Sequence, residues 1–252
     1  MLDRITPLIL TRDEEANIAR TLAQLAWARE VVVVDSLSSD DTVTIARQFA
    51  NVRIIPRAFD SHERQWSFGV DQISTPWVLT LDADYFVSEA FVAEIASLQP
   101  PPDLAAYEAA FVYAIHGRPL RSALYPPRAV LLRRGAFEFW QDGHTQRVRV
   151  HGRAERLRTP LIHDDRKDLR RFVERQRKYM RQEAAKLRAT PWRSLPAQGR
   201  IRKLRVLAPL ATLFYTLIAK RALLDGRAGW RYAFERFLAE GMLSFELFRR
   251  RR

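Results

Sequence analysis

An α/β fold followed by a helical extension is predicted by three observations. Short apolar runs ending on acids alternate with helix-patterned stretches through the first hundred residues. A proline break, Gln99-Pro-Pro-Pro102, ends that rhythm, and from about Lys167 the pattern becomes helical and stays so. Charge divides the chain in the same way: residues 1–150 hold 15 Lys and Arg against 19 Asp and Glu, and residues 151–252 hold 27 against 10. We therefore expect an α/β domain over residues 1–165 and a basic helical extension over 166–252.

Composition sets outer bounds. The 252 residues, 47% hydrophobic and 28% charged, suit an ordinary globular chain with a sizeable core. The absence of cysteine excludes disulfides, thiolate metal sites and cysteine nucleophiles. Met1-Leu-Asp-Arg-Ile-Thr-Pro has no basic region followed by a long apolar run, so no signal peptide is expected.

Residues 5–11 read as a first strand, with Pro7 tolerated near its start. Thr11-Arg-Asp-Glu14 has capping-box spacing, and Ile18, Leu22 and Leu25 follow at helical intervals. Glu30-Val-Val-Val-Val-Asp35 is a continuous apolar run of the kind buried on both faces of a parallel sheet. Turn and cap residues 36–42 lead to a helix expected over 41–50, then a third strand at 52–55 and a helix over 61–73. Trp77-Val-Leu-Thr-Leu-Asp82 alternates as a buried strand after the Ser-Thr-Pro break. Asp82 and Asp84, two apart, should share a face if that strand continues. Ser88 is the expected N-cap of a helix over 88–98.

Strands are expected over 105–115, 128–134 and 146–151, in a differently connected second half. In the helix expected over 167–189, Leu169, Phe172, Val173, Gln176, Tyr179 and Met180 fall on one face. Residues 206–219 carry no charge and are flanked by Arg202, Lys203, Arg205, Lys220 and Arg221. That run is shorter than the roughly 20 residues a bilayer span needs, which leaves a buried helix or an interfacial segment open. Trp230, Phe234, Phe237, Gly241, Phe245 and Phe248 form one stripe of the last helix. Packing against another helix is its expected use, with a membrane surface as the alternative.

Three strand-end loops should meet at the carboxyl edge of the sheet, where open α/β sheets bind ligands. They carry Glu14 and Glu15, then Asp35 and Asp40, then Asp82 and Asp84. Helix capping explains Asp13, Glu14, Asp40 and Asp41 well, and Asp35 and Asp82, each directly after an apolar strand, less well. Carboxylates converging there make a hard-oxygen site for Mg²⁺ or Mn²⁺. With nine glycines and neither a G-x-G-x-x-G nor a Walker loop, phosphate must be held by metal and side chains.

Leu10-Thr-Arg-Asp-Glu-Glu-Ala-Asn-Ile, Val-Val-Val-Asp35-Ser-Leu-Ser-Ser-Asp40-Asp-Thr42 and Leu81-Asp-Ala-Asp84, in this order and spacing, resemble glycosyltransferase family 2. The resemblance implies a GT-A, Rossmann-like nucleotide-sugar-binding domain with a mixed sheet. It implies that Thr11, Glu15 and Asp35 hold the nucleotide, that Asp82 lies near ribose and diphosphate, and that Asp84 binds the metal. Gln65 is grouped with these nucleotide-sugar candidates. A narrower similarity, to a branch including lipopolysaccharide-core β-glucosyltransferases, extends through Tyr125-Pro-Pro-Arg128, Leu132-Arg-Arg134, Gly143-His144, Leu161-Ile-His163 and Leu224-Asp-Gly-Arg-Ala-Gly229. Tyr85, Thr145 and Ser67 stand where that branch usually has Glu, Glu and Asn, which bears on the sugar and acceptor rather than on the reaction.

His163, after an apolar Leu-Ile pair, is the candidate further metal ligand, and Arg128 and Arg134 are candidate diphosphate clamps. Asp142, in Trp140-Gln-Asp-Gly-His-Thr, is the candidate base for the acceptor hydroxyl, with His144 on the acceptor side. The expected protein is an inverting, metal-dependent hexosyltransferase that uses a UDP-sugar. A lipid-linked or lipopolysaccharide-type glycan would be its acceptor, at the cytoplasmic face of an anionic membrane. The alternative is a nucleic-acid binder using the Arg-rich C-terminal helices, for which no recognition motif is present. A nucleotidyltransferase is disfavoured because residues 5–20 contain no glycine.

Overall fold

The computed structural model describes residues 1–121, 126–142, 145–166 and 168–249. The chain forms two units: Met1–His116 with Tyr125–Arg166, and Gly117–Leu124 with Lys167–Arg252. The second unit thus takes in a short excursion from within the stretch expected to be one domain.

The strands are β1 (Ile5–Thr11), β2 (Val31–Asp35), β3 (Val52–Pro56), β4 (Trp77–Asp82), β5 (Tyr85–Phe86), β6 (Leu104–Ala109) and β7 (Phe111–Ile115). They continue as β8 (Arg118–Pro119, in the second unit), β9 (Arg128–Arg133), β10 (Phe137–Asp142), β11 (Thr145–Val150), β12 (Arg153–Arg156) and β13 (Leu161–His163). A seven-stranded mixed sheet has the order β12-β6-β9-β4-β1-β2-β3. In it β9 runs antiparallel to both β4 and β6, while the pairs around β1 and β2 are parallel. After β3 the chain returns to place β4 on the far side of β1, which makes the β1/β4 boundary the topological switch point.

Apolar alternation explains the two faces of this sheet. Ile5, Ile9, Trp77, Leu79 and Leu81 enter one core, and Leu8, Val32, Val34 and Val78 enter the other. All five residues of β2 are buried, as its unbroken apolar run predicts. Each large side chain covered in this way contributes about 1.5–3 kcal/mol. The first core is covered from α1 (Ile18–Ala23) and α4 (Glu89–Ser97). The second is covered from α3 (His62–Asp71) and the β10–β11 hairpin, where Trp66 stacks on Phe139 at 5.9 Å. Gly69 permits that approach, since a Cβ there would lie 2.6 Å from Leu8 Cδ1.

Several expected boundaries shift for visible reasons. Thr11 is the last residue of β1 rather than a helix cap, and α1 begins after Asn17. The backbone N–H groups of Asp13 and Glu14 donate instead to Ser38 and Thr42 across the neighbouring loop. The helix expected over 41–50 is the short α2 (Thr42–Ala46). The strand expected over 105–115 breaks at Ala110 into β6 and β7, which serve different sheets. Ser61 and Ser88 do cap α3 and α4, accepting from Arg64 N and Phe91 N at 3.2 Å.

The second unit is helical: α5 (Leu169–Ala189), α6 (Ala197–Lys203), α7 (Leu207–Phe214) with a π-helical continuation Tyr215–Ala219, and α8 (Gly226–Phe248). A core cluster there comprises Met180, Ala184, Leu187, Leu195, Leu243 and Leu247. Arg202 joins Glu240 and Glu183 in a largely buried ion network. Asp225 accepts from Arg121 N at 3.1 Å, which ties the 117–124 excursion to the start of α8. Gly229 is required by its neighbour, because a Cβ would fall 1.7 Å from the Ala222 carbonyl oxygen.

One expectation is overturned here. The aromatic stripe of α8 is not buried by another helix among the described residues: Trp230, Phe234, Phe245 and Phe248 are exposed, and Phe237 and Gly241 are partly buried. The helix buries small residues instead, Ala228, Gly229, Ala233, Ala239 and Ser244, along with Tyr232 and Leu243. Small side chains permit close helix approach, so the bulky ones are left on the outer face.

Candidate functional site at the carboxyl edge of the sheet

β1, β2 and β4 end side by side, with Thr11 opposite Asp35 and Leu10 opposite Asp82 in register. The loops after β1 and β2 are stitched together. Ser39 N donates to Asp13 Oδ1 at 2.8 Å, Glu15 N to Asp40 Oδ2 at 3.2 Å, and Asp41 N to Glu15 Oε2 at 3.3 Å. Asp13 and Leu37 take left-handed backbone conformations to make these tight turns. Asp35 is buried and accepts from Ser38 N at 2.9 Å and Ser38 Oγ at 2.5 Å, which fixes its carboxylate at the strand end. Thr11 Oγ1, beside it, is buried without a hydrogen-bond partner among the described residues.

The aspartate pair differs from the extended strand expected. β4 stops at Asp82, and a turn through Ala83 delivers Asp84 to a separate, buried position. Asp84 Oδ2 faces His163 Nε2 at 2.9 Å, while Asp84 Oδ1 is buried and has no hydrogen-bond partner among the described residues. His163 lies opposite Tyr85 in the β13–β5 pair and opposite Tyr113 in the β13–β7 pair. Its ring packs against Tyr113 at 4.4 Å between centroids. The Tyr85 hydroxyl is buried within reach of the Asp82 charge. Burial first, then the Asp82 charge, raises its pKa well above the usual 10.0, so Tyr85 remains a donor. Arg128 lowers that pKa in part and stands over the Phe111 ring at 5.9 Å, which puts its charge beside the same acids.

A supporting set behind these groups was not singled out from the sequence. Thr21 Oγ1 lies 2.6 Å from Ala83 O and 2.9 Å from Tyr85 O, so α1 pins both flanks of Asp84. Asp164 N donates to Asp84 O at 3.1 Å, and the buried Asp164 carboxylate pairs with Arg20 and Arg166. The Asp164-Asp165 pair directly after β13 was the available signal, since it repeats the strand-then-acid pattern of the other loops.

Two predicted donor-binding residues are placed elsewhere. Arg134 sits past the β9 end that pairs with Trp77, the start of β4, and donates to Ile73 O at 2.5 Å. That is the opposite edge of the sheet from Asp82, because β9 runs antiparallel; Arg128, at the other end of β9, is the one beside the acids. Gln65 is fully buried, donating to Ser36 Oγ at 2.8 Å and to Arg57 O at 3.2 Å. It supports the turn after Asp35 from behind. Asp142 closes β10, with its side chain outside the described residues, and His144 lies outside them altogether.

Among the described residues no group of three His, Cys, Asp or Glu side chains could hold a metal ion unaided. A two-ligand set fits a divalent ion bound jointly with substrate phosphate. Asp84 and His163 supply carboxylate and imidazole donors, and Asp84 Oδ1 is a buried acceptor that no described residue satisfies.

Residues 8–116 match the family described as Glycosyl transferase family 2. An "Uncharacterized glycosyltransferase" of Rickettsia felis is 36% identical over 95 residues, which are 37% of this chain and 33% of that protein. The "Lipopolysaccharide core biosynthesis glycosyltransferase LpsC" of Rhizobium meliloti is 27% identical over 90 residues, 34% of this chain and 33% of that one. The matched stretch thus spans about a third of the length of these curated relatives. Among solved structures, the mannosyltransferase PcManGT from Pyrobaculum calidifontis, in complex with GDP-Man and Mn²⁺, superimposes with a TM-score of 0.55 at 15% identity. That superposition covers 97% of this chain and 86% of the other, and it shows a shared GT-A fold.

Proposed function

We infer, from the match of residues 8–116 to Glycosyl transferase family 2, an inverting enzyme that uses a nucleotide sugar. It moves the sugar from a UDP-linked donor to a hydroxyl of a lipid-linked or lipopolysaccharide-type glycan. The observation that carries this reading is a pair of buried oxygens without hydrogen-bond partners among the described residues, Thr11 Oγ1 and Asp84 Oδ1. They flank the β1/β4 switch point, and unsatisfied buried acceptors are costly unless a ligand completes them. The name of the LpsC relative supports the glycan class of the acceptor.

Thr11, Glu15 and Asp35 line the nucleoside side, and Asp82, with Tyr85 nearby, lies toward ribose and diphosphate. Arg128 offsets charge on the diphosphate. Mg²⁺ or Mn²⁺, held by Asp84 and His163, would neutralise the charge that gathers on the departing diphosphate. Asp142 is the proposed base that takes the acceptor hydroxyl's proton, a role worth about 10²–10⁴ in rate. His144 is the proposed acceptor-side group.

A panel of nucleotide sugars, scored by thermal stabilisation and by hydrolysis with and without Mn²⁺, tests the reading. A UDP-sugar should stabilise the protein and be hydrolysed in the presence of Mn²⁺. Stabilisation by none of them, or equally by all without metal, would end it.

A further inference from the structure

Residues 207–219 are built inside out for a water-facing helix. Ala208, Pro209, Thr216 and Leu217 are buried, while Leu207, Leu210, Phe214, Tyr215 and Ile218 point outward and are exposed. Leu207, Leu210, Phe214 and Ile218 follow one another at spacings of three, four and four, so they form one stripe rather than a scatter. Phe214 is 58% and Ile218 67% exposed, levels that contiguous apolar side chains of a solvated helix rarely show. Small residues inward and bulky apolar residues outward is the arrangement of helices whose outer face meets lipid.

α8 repeats the pattern. Trp230, Phe234, Phe245 and Phe248 are exposed within a sector of about 60° on the helix circumference. Both uncharged faces are edged by cations: Arg205 before α7, Lys220 and Arg221 after its π turn, and Arg227 at the start of α8.

We propose that the outer faces of α7 and α8 form a docking surface for an anionic lipid bilayer, inserted in the plane of its interface. The segment Leu207–Ala219 is about 20 Å long by its rise per residue, short of a roughly 30 Å hydrocarbon core. It meets Ala222–Phe248 at a bend of 70°, and among the described residues no single helix is long and apolar enough to cross. The geometry therefore suits helices that lie on the membrane, apolar stripe down and basic edge among the headgroups. Charge selects lipid over a second copy of the chain as the occupant. Residues 151–252 hold 27 Lys and Arg against 10 Asp and Glu, so two copies would meet basic edge to basic edge. Anionic headgroups instead add about fivefold in affinity per apposed basic residue. The surface uses none of the residues assigned to the sugar chemistry, since its residues belong to the second unit and the acids and His163 to the first.

The test is co-sedimentation of the full chain with vesicles of neutral phosphatidylcholine and of phosphatidylcholine with phosphatidylglycerol, at low and high salt. The wild type should partition at least about tenfold better into anionic vesicles, and added salt should weaken the preference. The Leu210→Glu/Phe214→Glu/Ile218→Glu variant, altered only at outward positions, should lose at least about tenfold. UDP binding in the presence of Mn²⁺, measured on the same samples, should not change; a lost vesicle interaction with retained nucleotide binding separates this surface from the catalytic reading. A wild-type measurement guards against a variant that fails to fold: quenching of tryptophan fluorescence by brominated lipid, reduced in Trp230→Phe. Equal binding to both vesicle types, no quenching, or a lipid-free dimer that the triple variant dissolves would each overturn the proposal.

Discussion

The two units treat their large apolar side chains in opposite ways. Among the described residues eighteen large hydrophobics are exposed, and sixteen of them lie in the second unit although it is the smaller. In the first unit a twisted sheet offers two broad faces, and helices and a hairpin cover both, leaving Leu37 and Trp140 outside. In the second, α8 spends one face on its neighbours and turns an aromatic stripe outward. Exposure is matched by chemistry: the unit that hides its apolar surface presents fixed carboxylates and orphaned oxygens, and the unit that shows it is edged by arginine. A small polar ligand suits the first and an extended amphipathic one the second.

The sharpest way to separate the units is a substitution confined to proton transfer. Asp142→Asn should lower turnover about 10²–10⁴-fold while donor affinity and vesicle partition stay as they were. Turnover within a few-fold of wild type would remove Asp142 from the base role.

Gly229→Ala probes the second unit from inside. With a Cβ placed 1.7 Å from the Ala222 carbonyl, α8 must shift, at a cost of about 1–3 kcal/mol or more. Melting followed by near-ultraviolet dichroism should fall, with UDP affinity nearly preserved; equal loss of both would show the units to be one cooperative body.

Thr21→Val acts behind the site. It removes the hydroxyl that lies against Ala83 O and Tyr85 O, worth about 1–3 kcal/mol, and should weaken metal-dependent UDP binding several-fold. Binding unchanged alongside lowered stability would make Thr21 a purely structural residue. Tyr85→Phe should have the smallest effect, a few-fold loss in donor affinity that stays flat across neutral and alkaline pH. The flat profile follows because Tyr85, raised well above 10.0, keeps its proton throughout that range. A loss confined to alkaline pH would contradict this.

Much of the first unit was legible because local pattern and tertiary environment agree there. The Val run of β2 is buried on both faces, and the alternation of β4 divides between two cores. The acids after β1, β2 and β4 meet because parallel strands end together. Direction is what spacing along the chain does not record. Arg134 and Arg128 are six apart on one strand, and only the antiparallel run of β9 reveals that one of them is at the wrong edge. Gln65 was assigned to the donor, whereas long-range bonds to Ser36 and Arg57 occupy it. The α8 stripe was periodic as read, but periodicity gives a face and not its destination. Ala228, Gly229, Ala233 and Ala239 on the other side supplied a closer-packing alternative.

The central claim is that Asp84, with His163 beside it, completes a nucleotide site through a divalent ion. Isothermal titration of UDP into wild type and Asp84→Ala, with and without Mn²⁺, tests it most directly. Binding to the wild type should require Mn²⁺, and Asp84→Ala should lose that metal-dependent affinity while retaining its melting temperature within a few degrees. UDP binding that is indifferent to Mn²⁺, or unchanged by Asp84→Ala, would contradict the account.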